Sequence, residues 1–89
     1  MKVWFMSPSH AFSIIGNAST PPANIKANLK RRFAEDGCGY AFIRDRDRTI
    51  QSYPLHGRPM PGGAYGVTEA EIDGFVAQFE ELVNWQARG

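Results

Sequence analysis

Eighty-nine residues, 43% of them apolar and 21% charged, suit one domain whose core is only just sufficient, and this composition excludes a disordered, collagen-like or low-complexity chain. The longest apolar run is far too short to span a bilayer, and no basic N-terminal segment leads into a long apolar stretch and cleavage site, so neither a membrane protein nor an exported one is expected. The net charge of +1 is unevenly spread: the first 25 residues carry only Lys2, residues 26–48 hold seven Lys and Arg against four acids, and residues 69–81 hold five acids and no base. Such a chain is electrically two-sided, and the two sides can steer a charged partner, pair within the monomer or pair across a symmetric dimer. The single cysteine, Cys38, excludes an intramolecular disulfide and a CxxC metal cluster, which fits a reducing, cytoplasmic compartment.

In chain order, residues 2–6 (KVWFM) read as a strand that is apolar on both faces, as a central strand or one with an interface on its second face must be. Residues 7–10 have turn composition, and residues 11–15 (AFSII) read as the returning strand, ended by Gly16-Asn17. Thr20-Pro21-Pro22 marks a helix start, with the threonine hydroxyl as a cap. Ile25, Leu29 and Phe33 form its apolar stripe, helped by Ala27 and Ala34, and Asp36-Gly37 ends it. Residues 39–45 and 48–53 alternate around Asp45-Arg46-Asp47 as a second hairpin, with Tyr40 and Phe42 on one face and Ala41 and Ile43 on the other. Residues 55–66, half of them Gly or Pro, are expected to be an irregular loop. Thr68 and Glu71 have the spacing of a capping box, and Ile72, Phe75, Val76, Phe79, Leu82 and Val83 then recur at helical spacing as far as Trp85. The whole chain, residues 1–89, is therefore expected to be one α+β domain of order ββαββα: a four-stranded, mainly antiparallel sheet with two helices packed on it.

Chemistry-bearing residues are sparse. Cys38 with His10 or His56, oriented by Asp36 or Asp45, would be the set for a Cys-dependent enzyme. No spacing brings them together, and Cys38 follows a helix C-terminus, where the dipole raises a thiol pKa, so a small structural cysteine is the better reading. Gly62-Gly63 and Arg58 precede a helix, as an anion site does, but there is no Walker lysine and Glu69 and Glu71 open that helix with the wrong charge. No catalytic residue, metal ligand or cofactor is assigned. The strongest signal is cationic: Lys26, Lys30, Arg31 and Arg32 on the first helix, and Arg44, Arg46 and Arg48 on the second hairpin, gather on one side if hairpin and helix are neighbours. Such a surface can track a phosphate backbone, with Tyr40 or Tyr53 to stack bases, although Asp45 and Asp47 interleave the arginines and a pI of about 7.9 is low for a dedicated nucleic-acid binder. Met60, Tyr65 and Trp85 are candidate interface residues left over from a small core, whereas Trp4 is expected to complete that core.

The size, single domain and two-sided charge resemble the small inhibitor proteins encoded by phages and other mobile elements, including anti-CRISPR proteins, a likeness of layout across the whole chain. That resemblance implies a non-enzymatic protein that obstructs a larger host protein or nucleoprotein complex, with Lys26, Lys30, Arg31, Arg32, Arg44, Arg46 and Arg48 as its contact surface. The chain departs from the acidic, DNA-mimicking members of that group. The alternatives are a small nucleic-acid-binding regulator, alone or as a homodimer, and the Cys38-dependent enzyme.

Overall fold

The computed structural model describes residues 1–7, 12–35, 39–46, 48–49, 55–59 and 65–88. Strands β1 (Lys2–Met6), β2 (Ser13–Asn17), β3 (Tyr40–Asp45) and β4 (Arg48–Thr49) form an antiparallel sheet in the order β2-β1-β3-β4. Helices α1 (Pro22–Glu35) and α2 (Glu69–Arg88) complete the expected small α+β fold. Strand β5 (Leu55–His56) also pairs with β3, at Ala41 and Tyr40. On β3 the two ladders are separated by Phe42 and Ile43 alone, whereas residues 50–54 separate β4 from β5 in sequence, so β4 and β5 follow one edge of β3 in different registers. Tyr53 lies in that interval, outside the described residues.

Residues 55–66, expected to be irregular throughout, hold β5 and a separate two-stranded ribbon of β6 (Arg58–Pro59) and β7 (Tyr65–Gly66). Backbone pairing needs no side-chain alternation, and strands of two residues are too short to show any. The second strand lies two residues later than expected. Gly16 and Asn17, expected to break it, are part of it, because the reversal falls at Asn17–Thr20 instead. There the Asn17 N–H donates to the Thr20 hydroxyl (3.0 Å) and the Ser19 N–H to Asn17 Oδ1 (2.8 Å). Thr20 therefore serves this turn and not the helix. The first turn of α1 is closed by the Pro21 carbonyl, which accepts from the N–H groups of Asn24 and Ile25. Gly16 is buried where α1 crosses the sheet: a Cβ there would stand 2.9 Å from Ile25 Cγ1, so α1 needs the missing side chain to come this close.

Among the described residues, the buried apolar side chains lie between one face of the sheet and the two helices. Val3, Phe5, Ile15, Ala41, Ile43 and Leu55 supply the sheet half, and Ile25, Leu29, Phe33, Ile72, Phe75, Val76 and Phe79 the helical half. Phe5 and Phe33 meet edge to face at 5.1 Å. Leu82 and Val83 pack at the margin of this core, whereas Ala27 and Ala34 are exposed and do not widen the stripe of α1. The capping box forms as expected. Thr68 N–H donates to Glu71 Oε1 (2.9 Å) and Glu71 N–H to Thr68 Oγ1 (3.2 Å). Among the described residues no helix is long and apolar enough to cross a membrane.

Candidate functional site

Both helices pack on one face of the sheet, and neither covers the other face. Side chains opposite one another on neighbouring strands share a face. The registers therefore align Ile14, Trp4 and Phe42 in one row and Met6, Tyr40 and His56 in the next, with Lys2 and Arg44 in a third. Phe12 joins them: its ring stands edge-on to Trp4 at 6.1 Å and to Phe42 at 6.3 Å. Tyr40 lies 5.6 Å from Phe42 and 5.4 Å from His56, each pair inclined by about a third of a right angle (35° and 33°). The result is a continuous aromatic surface in which Phe12 is 56% exposed and Ile14 51% exposed, while Trp4, Tyr40 and Phe42 are half-buried among one another. Large apolar groups held in water at this density mark an interaction surface.

One end of this face is cationic. The Arg44 guanidinium carbon sits 5.9 Å from the centre of the Trp4 ring, within cation–π range. Lys2, Arg46 and Arg48 are exposed and line, with Trp4 and Arg44, a shallow depression at the end of β1 and β3. Among the described residues, Asp45 is the carboxylate beside them. It accepts from Gln86 Nε2 at 2.8 Å and lies 3.6 Å from the N-terminal ammonium, which ties the last turns of α2 to this corner of the sheet. Arg46 has φ of 58°, a left-handed conformation that costs a non-glycine side chain roughly 1–2 kcal/mol.

The seven cations grouped from the sequence do not make one surface. Arg44, Arg46 and Arg48 belong to the depression beside the bare sheet face, and Lys2 joins them. Lys26 and Lys30 project from α1 toward α2, where they meet Asp73 (3.1 Å) and Glu69 (2.6 Å) in an antiparallel ladder along the helix seam. The acidic and basic stretches thus neutralise one another within the monomer there. The hydrogen bond that Lys30 Nζ donates to Glu69 Oε1, and then the charge of Glu69, raises the pKa of Lys30 above its ordinary value. Arg31 is exposed and bonds Asn28 Oδ1 at 3.4 Å, and Arg32 is half-buried in the last turn of α1.

Of the expected interface residues, Trp85 is 76% exposed on α2. Met60 lies outside the described residues, and Tyr65 is placed only as backbone, paired with Pro59. Trp4 does not complete the core: Val3 and Phe5 take the inward positions of β1, and alternation puts Trp4 on the bare face. Of the enzyme alternative, Cys38, His10 and Asp36 lie outside the described residues, and His56 is exposed against Tyr40. The described residues contain no group of three His, Cys, Asp or Glu side chains able to hold a metal ion.

Met6, Phe12, Ile14 and Phe42 were not singled out by sequence reasoning, and Trp4 was assigned to the core. The signal was present in residues 2–6, where both parities of the strand are apolar although the chain has helices enough for one side only. No family model, curated protein or solved structure matches the chain.

Proposed function

We propose that the protein is a non-enzymatic binding protein that docks on a larger nucleoprotein complex and obstructs it, using the bare face of its sheet and the cations at the end of that face. The observation that carries this reading is the continuous surface of Trp4, Phe12, Ile14, Tyr40 and Phe42, with Arg44 stacked on it, left uncovered by both helices. This is the composition of an interface centre, where aromatic rings and arginine carry most of the binding energy. The α1 cations contribute less, because Lys26 and Lys30 are already engaged by α2. An inhibitor of the mobile-element kind, acting by occupying a surface, needs no more than this.

The test replaces Phe12 and Ile14 by serine together. Both are about half exposed, so the fold is retained, and circular dichroism verifies that. The expected result is that a complex captured from the host by the wild-type protein is lost with F12S/I14S and retained by Lys26→Gln/Lys30→Gln. Equal capture by wild type and F12S/I14S refutes the assignment of the contact to the sheet face.

A further inference from the structure

Resting on that reading, we infer that the group bound on the bare sheet face is a single-stranded nucleic acid, its bases stacked on Trp4, Tyr40 and Phe42 and its phosphates held by Lys2, Arg44, Arg46 and Arg48. Three observations converge on this ligand. The first is chemical. A single strand offers flat apolar rings and a regular line of negative charge, and this face offers aromatic rings running into four cations.

The second observation is the distribution of carboxylates. Asp45 is held by Gln86 and the N-terminal ammonium, and the acids Glu69 and Asp73 lie in the helical layer, across the sheet from the aromatic face. Among the described residues, a polyanion approaching from the open side therefore meets four cations, Lys2, Arg44, Arg46 and Arg48, against the one engaged carboxylate Asp45; Asp47, between Arg46 and Arg48 in the sequence, lies outside the described residues. A protein partner would gain from the rings but has no general reason to match that charge.

The third observation is Arg46. A tight hairpin tip with positive φ favours Gly, Asn or Asp, and here it carries an arginine at φ of 58°. Strain of this kind persists where the side chain is put to use. At this tip the side chain extends the line of cations formed by Lys2, Arg44 and Arg48. The width also fits: the Ile14, Trp4 and Phe42 row crosses three strands, about 10 Å, which accommodates two or three splayed bases.

The experiment uses the full chain with Trp85→Phe, which leaves Trp4 as the one tryptophan, and an oligothymidylate of about twelve nucleotides as probe. Binding is expected to quench Trp4 fluorescence. With four phosphate contacts on a single strand, affinity should fall about 50-fold between roughly 50 and 200 mM salt. Arg46→Gln/Arg48→Gln, which leaves two of the four cations, should reduce that loss to about sevenfold. Phe42→Leu, with the salt dependence unchanged, should weaken binding by about 5- to 150-fold. The inference is overturned by absence of binding at low salt, by binding without quenching of Trp4, by an unchanged salt dependence in the double arginine variant, or by equal or tighter binding of a duplex of the same length. Failure here is separable from failure of the proposed function. If the oligonucleotide does not bind while nuclease-treated host complex is still captured by wild type and lost with F12S/I14S, the sheet face docks protein and only the nucleic-acid ligand is wrong.

Discussion

Two glycine-to-alanine substitutions should move stability in opposite directions, and the packing gives the reason. Gly39 is buried where the chain enters β3, beside β1. A Cβ built there collides with Phe5 Cζ and stands 2.9 Å from both Phe5 Cε1 and the Met6 carbonyl oxygen. Neither can withdraw. The Phe5 ring is fully buried and pinned edge-on against Phe33, and the carbonyl is backbone of a strand paired on both sides. Gly39 is held in place as well, since its own carbonyl accepts from Gly57 N–H at 2.8 Å. Overpacking of this kind costs about 1–3 kcal/mol. Gly74, in contrast, lies on the exposed side of α2 with nothing within 4 Å of a built Cβ. Alanine there should gain about 0.5–1 kcal/mol from helix propensity alone. At about 4–8 °C per kcal/mol for a domain of this size, Gly39→Ala should lower the melting temperature by roughly 4–24 °C and Gly74→Ala should raise it by roughly 2–8 °C. Thermal and urea unfolding followed by circular dichroism measures both, and an unchanged urea dependence would place the effect in stability itself. A Gly39→Ala protein that melts with wild type would refute the packing of this link against β1. A Gly74→Ala protein that melts earlier would refute the exposed placement of that side of α2.

Three further outcomes are expected. Thr68→Ala removes the acceptor for Glu71 N–H at the start of α2 and should cost about 1 kcal/mol in urea unfolding. Because the folded-state pKa of Lys30 is raised, its pairing with Glu69 is fully present below the unfolded lysine value of about 10.4 and lost as pH rises through the higher folded value. The small stability difference between wild type and Lys30→Ala should thus be constant near neutral pH, shrink only in strong alkali, and diminish with added salt, since both partners are largely exposed. Arg46→Gly should relieve the left-handed backbone and raise stability by about 0.5–1 kcal/mol while weakening oligonucleotide binding, a divergence that simple damage to the fold would not produce.

The local rules of the chain were legible without coordinates. The 3.6-residue spacing of Ile25, Leu29 and Phe33, the Thr68–Glu71 box with Ile72, Phe75, Val76 and Phe79 behind it, and the alternation of Tyr40 and Phe42 with Ala41 and Ile43 each depend on neighbours within a few residues. What depends on distant partners was not. The turn after β2 moved because Asn17 and Thr20 bond each other, and β5 joined the sheet through backbone groups that carry no side-chain signature. The candidate site belongs to this second kind. Residues 2–6 show two apolar parities, but only the stacking of both helices on the Val3 and Phe5 side decides that Trp4 and Met6 are left half-buried on the face opposite the helices. Likewise, the sequence groups seven cations in residues 26–48, whereas the pairing of α1 with α2 neutralises Lys26 and Lys30 and leaves Arg44, Arg46 and Arg48 to meet Lys2 beside the aromatic face. Periodicity says that a residue has a side; which side is covered, and by which charge, is a property of the packed layers alone.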